Sequence, residues 1–335
     1  METKKIDFMN NIELKSYTIP MPSVSHYMIQ PPFICGFIGT CGSGKTYSTV
    51  KLIIELINEG ALKPQDIYII SPTYYQNEIF RNIHNLKKKN ILTHANKSYD
   101  FLDKLIKHFT FCKKVWKTTR KKYTSDEYAK WYKSIIKKLA NDKINEDCDD
   151  IKEDLNNIEY LHLKLNNCEP VPYFYDYVPH YLIFIDDAAR SKIYADSDKN
   201  PLVNFSLMHR HYNCSIICAT QTFKSGITKG IRDNIYCWCI WRQSDDNVKE
   251  IYKEVISSAV RNRQTFYDLF DTITDNDHDF IFIDKRAKNR KLMIRKNFNE
   301  ILNLDNYINE KNTKNTRTIN HEEKEEDCEK NNDKK

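Results

Sequence analysis

The feature that most constrains this chain is a cluster of glycines near residue 40. Four of its seven glycines fall within residues 36–44, and three of them belong to one string, Gly39-Thr40-Cys41-Gly42-Ser43-Gly44-Lys45-Thr46. An apolar run at 33–38 precedes the string, and an amphipathic helical pattern follows it as far as Gly60. A strand, a glycine-rich turn and a helix in this order are the context in which G-x-x-x-x-G-K-[ST] binds phosphate. The sequence therefore predicts a phosphate-binding loop in a fold of strands and helices.

The residue types of this string match the chemistry of a triphosphate. Backbone N–H groups of a glycine-rich turn and the N-terminus of the following helix attract phosphate oxygens. Lys45 is expected to bind the β- and γ-phosphate oxygens, and the Thr46 hydroxyl to coordinate Mg²⁺. We therefore expect residues 39–46 to bind ATP or a related nucleoside triphosphate together with Mg²⁺.

The other apolar runs predict an α/β fold. Near-continuous apolar runs are typical of strands in a parallel sheet that helices cover on both faces. Such runs occur at 33–38, 67–70, 181–185, 215–219 and 235–241. Helical patterns separate them, so the class is α/β, and together with the phosphate loop this predicts a P-loop NTPase whose parallel sheet is covered by helices. Two last apolar runs, 280–283 and 292–294, predict a C-terminal β-hairpin.

The stretch from about 85 to 178 interrupts this alternation. It contains no glycine, and its charges are segregated into a basic part and an acidic part. We interpret it as a helical insertion between the second and third core strands. The predicted organisation is an N-terminal extension, a P-loop ATPase domain that carries this insertion, and a charged, largely disordered tail, at 1–30, 31–300 and 301–335.

The basic part of the insertion has two interpretations. Residues 104–138 hold twelve Lys or Arg against two acids, with Trp116, Tyr123, Trp131 and Tyr132 among them. Lysines of this kind would neutralise nucleic-acid phosphates without reading sequence. The alternative is a solvated pair of amphipathic helices whose aromatic residues form a small core, and the sequence favours this alternative.

Composition limits the setting in which the chain works. The net charge is +6, which is weak support for a nucleic-acid partner. No apolar run reaches the 18 or so residues that a membrane span needs, and no signal-peptide core follows Met1. There is no C-x-x-C pair, and five of the ten cysteines lie in apolar runs, at Cys35, Cys214, Cys218, Cys237 and Cys239. We therefore expect reduced core thiols and a reducing compartment, without zinc, secretion or a membrane.

A pair of carboxylates is the second chemical signal. The apolar run 181–185 leads directly into Asp186 and Asp187. A hydrophobic strand that ends in two acids is the Walker B arrangement, in which Asp186 is expected to hold Mg²⁺ and Asp187 to polarise the water that attacks the γ-phosphate. The alternative is a strand that runs into an exposed acidic turn.

Polar residues near the next two strands complete the predicted site. Gln221 follows the run 215–219, and it faces the γ-phosphate if that strand lies between the other two motif strands. A transferred phosphoryl group is often met by an arginine of a neighbouring subunit. Arg210 and Arg232 are the two candidates, with a surface ion pair or a helix cap as the alternative for each. His209 and His211 lack acidic or thiol partners at a metal-binding offset, so we do not expect a metal there.

Together these motifs resemble the DNA-packaging ATPases of poxviruses and other large DNA viruses, in the FtsK–HerA division of P-loop ATPases. The similarity covers roughly residues 30–300 without the insertion, and the block from Arg210 to Gln221 is its most specific part. The residues that carry it are Gly39 to Thr46, Leu182 to Asp187, Arg210-His211, Ser215-Ile216-Ile217, Thr220-Gln221-Thr222 and Arg232-Asp233-Asn234.

The resemblance implies a RecA-like P-loop NTPase that works as a molecular motor. Its members have the sensor strand between the two other motif strands, assemble as homo-oligomeric rings, and use ATP to move double-stranded DNA into a capsid. It implies a capsid or vertex protein as a partner, a location in the host cytoplasm or the virion, and a trans-acting role that Arg210 matches better than Arg232. The long insertion departs from compact members and leaves the DNA-contacting surface unassigned.

Three other functions stay open on the sequence. A conjugation-type or resection-type DNA pump of the same division would share the whole site and differ in its partners. A small-molecule kinase would share the phosphate loop, although kinases usually carry an arginine-rich lid and lack a polar sensor strand. A nucleotide-gated scaffold would bind ATP without hydrolysing it.

Overall fold

The computed structural model describes residues 24–302 except 26–27, 95–96, 120–179, 189–190, 196–198, 258–259, 288 and 290–291. Most of the predicted N-terminal extension, most of the predicted insertion and nearly all of the predicted tail thus lie outside the described residues. Contacts divide the chain into two compact units, and the unit of Ser23–Lys114 with Pro179–Lys335 contains the whole sheet.

Nine strands of the described residues form one sheet in the order β3-β2-β4-β5-β1-β6-β7-β8-β9. The six strands from β3 to β6 are parallel, and β7 to β9 continue the sheet antiparallel. The predicted α/β class is confirmed, as a mixed, mostly parallel sheet covered by helices. The strands are β1 Ile34–Ile38, β2 Ile67–Ile70, β3 Ile91–Leu92, β4 Tyr181–Asp186, β5 Cys214–Thr220, β6 Cys237–Trp241, β7 Phe280–Asp284, β8 Ile294–Lys296 and β9 Glu300–Ile301.

The helices lie between the strands. The π-helical turn Tyr252–Ile256 continues α5, and short 3-10 helices occupy several of the connections. The α-helices are α1 Lys45–Asn58, α2 Ser98–Thr119, α3 Pro201–Met208, α4 Lys229–Arg232, α5 Asp245–Ile251 and α6 Arg263–Ile273. The 3-10 helices are Pro64–Asp66, Glu78–Asn82, Lys88–Asn90, Lys192–Tyr194 and His209–Tyr212.

The central strands are buried at every position, which explains their nearly continuous apolar sequences. All residues of β1, β2, β4, β5 and β6 are buried. A strand whose two faces are both covered has no solvent side, so it shows no polar alternation. The strand cysteines Cys35, Cys214, Cys218, Cys237 and Cys239 are buried free thiols, in the strands where the sequence predicts them.

The C-terminal hairpin is present, with its second strand displaced from the predicted position. The sequence predicts that strand at 292–294, whereas β8 is Ile294–Lys296. Leu292 belongs to the turn instead, because its N–H donates to the carbonyl of Asn289. Ile294 pairs with Ile283, which extends the antiparallel part of the sheet.

The first part of the predicted insertion packs on the sheet. Strand β3 pairs with β2, and helix α2 buries Leu102, Leu105 and Phe109. The Phe109 ring stacks on Tyr181 at the start of β4, with 4.0 Å between centroids. Strand β3 and the first part of α2, as far as Phe109, are thus part of the core, and the boundaries of an insertion beyond them stay a prediction.

Candidate nucleotide-binding site

The predicted phosphate-binding loop joins the carboxyl end of β1 to the N-terminus of α1. Gly44 is the N-cap of this 14-residue helix and has φ 94°, and Gly42 has φ 78°. Residues with a Cβ rarely adopt these angles, so the two glycines allow the loop to turn back over the helix end. The free N–H groups of the first turn of α1 and its dipole then face the loop. This geometry is that of an anion site for phosphate.

Lys45 lies inside the loop, with 6% of its surface exposed. Its Nζ donates to the carbonyl oxygens of Gly39 at 2.8 Å and Thr40 at 2.7 Å. Burial lowers the pKa of Lys45, and the neighbouring carboxylates of Asp187 and Asp186 oppose that shift. The side chain is thus held among the loop carbonyls, at the place where a triphosphate would need a cation.

Thr46 and Asp186 meet although they belong to different motifs. Thr46 Oγ1 donates to Asp186 Oδ2 at 3.1 Å, which joins the first turn of α1 to the end of β4. Asp186 is 1% exposed, and in the described part of the chain its Oδ1 has no hydrogen-bond partner. Burial and then the charge of Asp187 raise the pKa of Asp186 to about 7, against the lowering effects of Thr46 and Lys45.

This pair fits a magnesium ion. Mg²⁺ prefers oxygen ligands, and a hydroxyl beside a carboxylate with a spare oxygen provides them. A cation would also compensate the cost of a buried carboxylate, which the raised pKa of Asp186 reflects. Thr46 and Asp186 are therefore the residues that would hold Mg²⁺ here.

Asp187 differs from Asp186 in exposure and in backbone. Its side chain is exposed at the carboxyl end of β4, and its φ is 49°, in the left-handed region. Asp and Asn adopt this region more readily than other residues with a Cβ. The two adjacent acids therefore differ, with a buried carboxylate on Asp186 and an exposed one on Asp187.

Strand β5 separates the two other motif strands. It pairs with β1 on one side and with β4 on the other, so its last residue, Thr220, ends between the loop and the two acids. Gly39 N–H donates to the Thr220 carbonyl at 3.2 Å, a direct link between the loop and this strand. Gln221 is the next residue and is exposed, at the same edge of the sheet as Lys45 and Asp186.

Arg210 lies at the opposite end of the sheet. It is exposed in the 3-10 helix His209–Tyr212, just before β5 begins, whereas the loop follows the end of the parallel strand β1. The seven residues of β5 span about 23 Å at 3.3 Å each. Arg210 therefore does not reach the nucleotide site of its own chain.

Arg232 is engaged within its own chain. It is 8% exposed, and its Nε donates to Glu254 at 3.0 Å. Its NH1 donates to the carbonyls of Lys224 and Ile227, and its guanidinium lies 5.1 Å from the centroid of the Phe223 ring. These contacts use most of the donors of Arg232 within its own chain.

The two histidines beside Arg210 have separate surroundings. His209 is buried, and its Nδ1 is 2.8 Å from the carbonyl oxygen of Cys214. Burial lowers the pKa of His209 to about 4. His211 is exposed. Within the described residues, no group of three or more His, Cys, Asp or Glu is placed to hold a metal ion, and none of the helices has both the length and the apolarity to cross a membrane.

One neighbour of the loop is not predicted by the sequence. A Cβ atom placed on Gly44 would lie 3.7 Å from Nδ1 of His278, which belongs to the turn between α6 and β7. Strand β7 is antiparallel to β6, so the turn before it lies at the edge of the sheet that carries the loop. The local sequence signal is a run of polar residues at 275–279, which indicates a turn and gives no information on its neighbours.

The site and the sheet order together define the fold. It is a P-loop NTPase fold.

Comparison with known proteins gives similarity in structure alone. No family model matches the sequence, and no curated protein does. The genome packaging NTPase B204 of Sulfolobus turreted icosahedral virus 2, solved with ATP-gammaS, is 13% identical, with 82% of this chain and all of that chain covered and a TM-score of 0.44. EssC (ATPases 2 and 3) of Geobacillus thermodenitrificans is 15% identical, with 62% of this chain and 31% of that chain covered and a TM-score of 0.34.

The type VII secretion ATPase EccC of Thermomonospora curvata is also similar. Its cytoplasmic domain is 13% identical, with 75% of this chain and 24% of that chain covered and a TM-score of 0.37. The solved structures that resemble this chain thus include a viral packaging ATPase, the kind of protein that its motifs resemble.

Proposed function

We propose that this chain is an ATP-driven motor that moves double-stranded DNA, as the genome-packaging ATPase of a large DNA virus. The observation that carries the proposal is the contact of Thr46 with Asp186, 3.1 Å long, beside a sensor strand that separates their two motifs. A site that only binds phosphate needs no second carboxylate beside it. Asp187 is placed next to that contact with its side chain free to reach a water.

The residues divide the work of hydrolysis among them. Amides of 39–46 and the Lys45 ammonium bind the β- and γ-phosphates, and Thr46 and Asp186 hold Mg²⁺, which neutralises charge on the phosphate oxygens when it is bound. Asp187 accepts a hydrogen bond from the attacking water and polarises it. Gln221, at the end of β5, contacts the γ-phosphate or that water. Release of the γ-phosphate then changes this contact at the end of the strand.

The position of Arg210 is the observation that supports a ring of identical subunits. It lies about 23 Å along β5 from the edge that carries its own loop. A head-to-tail assembly brings one end of a subunit against a different surface of the next, and a closed rotation gives a ring. In that arrangement Arg210 of one subunit completes the nucleotide site of its neighbour.

The proposals for the polymer moved, the docking partner and the location are supported by the resemblance of the motifs. We propose double-stranded viral DNA as the polymer moved, a capsid or vertex protein as the docking partner, and the host cytoplasm or the virion as the place. Of the two interpretations of the basic stretch 104–138, the DNA contact is the one that a salt-dependence experiment tests; seven of its lysines and arginines follow helix α2 in the sequence.

A first experiment tests hydrolysis without an acceptor. The purified chain should release phosphate from MgATP in water, and double-stranded DNA should stimulate the release. The matched control is Lys45→Ala, which removes the ammonium and leaves the loop glycines in place. A chain that forms ADP only when a small-molecule acceptor is added, with the phosphoryl group on the acceptor and no free phosphate released, is a kinase, and that result would contradict the proposal.

A second experiment tests the DNA contact. The affinity for DNA is read from the stimulation of ATPase activity and is measured at several salt concentrations. The variant replaces seven cations by Gln: Arg120, Lys121, Lys122, Lys130, Lys133, Lys137 and Lys138. The slope of log affinity against log salt falls by about 0.9 for each phosphate that the protein no longer neutralises. The variant keeps Leu105 and Phe109, which pack on the sheet. An unchanged slope would place the DNA path elsewhere.

A further inference from the structure

Two exposed aromatic side chains lie near the N-terminal end of α1, one on the helix and one on the turn before β7. Tyr47 lies three residues after the N-cap Gly44 and is 61% exposed. His278 is exposed, and its Nδ1 lies 3.7 Å from the Cβ position of Gly44. In the described part of the chain, neither ring has a hydrogen-bond or ring-stacking partner. Aromatic side chains line many ligand sites, so two exposed rings beside the phosphate loop are candidates to contact the ligand.

The geometry of the helix brings the two rings to one place. Residues three apart on a helix share a face, so Tyr47 lies on the face of Gly44. Side chains of a helix lean toward its N-terminus, so the Tyr47 ring extends back toward the loop. From the turn before β7, His278 Nδ1 lies 3.7 Å from the position that a Cβ on Gly44 would take. Both rings therefore border the N-terminal end of α1.

The turn that carries His278 is fixed on both sides. Trp241 Nε1, at the end of β6, donates to the His278 carbonyl at 3.1 Å. The neighbouring Asp279 carboxylate accepts from Asn276 at 2.8 Å, Asn297 at 3.0 Å and Lys296 at 2.7 Å. These three donors hold the pKa of Asp279 down, at about 2, against the effect of its desolvation. A turn held in this way keeps the imidazole at the loop without an entropy cost on binding.

The same helix end has an independent sign of a ligand. The Oδ1 atom of Asp186, a residue 1% exposed, lacks a hydrogen-bond partner in the described part of the chain. That carboxylate is bonded to Thr46, in the turn of α1 that precedes Tyr47. The phosphates of a nucleotide bound there occupy the loop, and its base and ribose extend past the loop toward exposed residues.

We propose that Tyr47 and His278 form the subsite for the nucleoside part of the bound triphosphate, with the two rings packed against the base. The inference rests on the proposed nucleotide-binding function and adds the residues that bind the part of the nucleotide that the phosphate loop leaves exposed. Stacking on an aromatic ring suits any base, because every base has a π-face. The subsite therefore adds affinity for nucleosides over bare phosphates.

The test compares two ligands that share the phosphates. Binding of MgATP and of magnesium tripolyphosphate is measured by calorimetry on the full chain and on His278→Ala. We expect the Kd for MgATP to rise about tenfold, within the range for the removal of one stacking interaction, and the Kd for tripolyphosphate to stay unchanged. His278→Phe should restore most of the MgATP affinity, because it keeps a ring. Tyr47→Ala should repeat the selective loss.

The matched control is His84→Ala, at an exposed histidine of the 71–90 connection away from the turn that carries His278. It should change neither Kd. An equal loss for both ligands in His278→Ala would assign the imidazole to the phosphates and overturn the subsite, as would no loss for either. A loss that His278→Phe does not restore would overturn stacking as the contact. A parent chain that binds tripolyphosphate and MgATP equally well would overturn the subsite alone, whereas a parent that binds neither ligand would end the proposed function as well.

Discussion

Thr46 Oγ1 donates a hydrogen bond to Asp186 Oδ2 at 3.1 Å, across 140 residues of sequence. The contact joins the first turn of α1 to the end of β4, and strand β5 lies between the parent strands of the two motifs. Two oxygens that Mg²⁺ would share are thus already in contact within the folded chain. The position of each is set by the sheet, because Asp186 is in register with Ala219 of β5 and Ile38 with Thr220.

The first prediction concerns the Thr46 hydroxyl. Thr46→Ala removes one magnesium ligand and leaves the loop backbone, so the Mg²⁺ concentration needed for nucleotide binding should rise about tenfold or more. The measurement is a Mg²⁺ titration of nucleotide binding. Thr46→Ser is the control and should behave as the parent does, because it keeps the oxygen. A Thr46→Ala chain with the parent's Mg²⁺ dependence would remove Thr46 from the metal site.

The second prediction separates binding from hydrolysis at Asp187. Asp187→Asn keeps the shape of the side chain and tolerates φ 49°, so the variant should fold and bind MgATP with the parent's affinity. Its turnover should fall by about 10²- to 10⁴-fold, because an amide does not polarise the water as a carboxylate does. Phosphate release and nucleotide binding are measured on the same preparation. Turnover at the parent's rate would assign water activation to another residue.

The third prediction treats Arg232 as a structural residue. Arg232→Ala leaves Glu254 without its partner and two carbonyls without their donor, so the free energy of unfolding should fall by about 3 kcal/mol. Chemical denaturation measures the loss. The control is Lys229→Ala, which breaks an exposed ion pair with Asp233 and should cost less than about 0.5 kcal/mol. Equal stability of the two variants would contradict this role.

The strands could be predicted because burial makes their sequences uniform. Each residue of β1, β4 and β5 is buried, and hence each run is almost entirely apolar. Strands β3 and β9 have only two residues each, too few for any pattern to show. The packing of α2 was also hidden, because its charged residues suggested a separate insertion, whereas Phe109 stacks on Tyr181 of the sheet.

Some features of the site could likewise be predicted from the sequence, and others could not. The phosphate loop and the two acids were predictable, because each motif is a short string of consecutive residues. Arg232 pairs with Glu254, 22 residues away in the sequence, and no local sequence pattern predicts an ion pair at that separation. The position of His278 depends on the reversal of direction at β7, which only the paired sheet determines. The left-handed backbone of Asp187 is likewise a consequence of the turn that follows β4.

The fourth prediction is a loss of stability in acid. Burial lowers the pKa of His180 to about 4, and its ring nitrogens lie 2.9 Å from the carbonyl of Ala61 and 2.8 Å from Ser215 Oγ. The unfolded chain binds a proton at His180 below about pH 6.5, and the folded chain does so only near pH 4. The stability contributed by neutral His180 is therefore full above pH 6.5 and is lost as the pH falls from 6.5 to 4.

The size of that loss follows from the shift in pKa, and it amounts to about 3 kcal/mol for His180. Denaturation of the parent and of His180→Gln is compared between pH 7.5 and 4.5. The variant should lose less stability over this range than the parent, whatever its stability at neutral pH. His84→Gln, at an exposed position, should keep the parent's slope. Parallel curves for the parent and His180→Gln would contradict the assignment.

The last prediction tests whether Arg210 acts on a neighbouring subunit. Arg210→Ala should lower turnover by about 10³-fold, as the loss of a trans-acting arginine does in other P-loop enzymes, and Lys45→Ala should abolish it. In a one-to-one mixture of the two variants, about a quarter of the interfaces join an intact Lys45 to an intact Arg210. Turnover of the mixture should therefore recover to a measurable share of the parent's.

The control for this mixture pairs two changes within one site. Lys45→Ala and Asp187→Asn affect the same subunit's loop and strand end, so no interface of their mixture holds an intact site, and no recovery is expected. Recovery in the Arg210 mixture alone establishes that the arginine works across the interface, since Arg210 and the loop lie at opposite ends of one sheet. Equal behaviour of the two mixtures at every ratio would remove the trans role of Arg210 and leave the ring without its proposed contact.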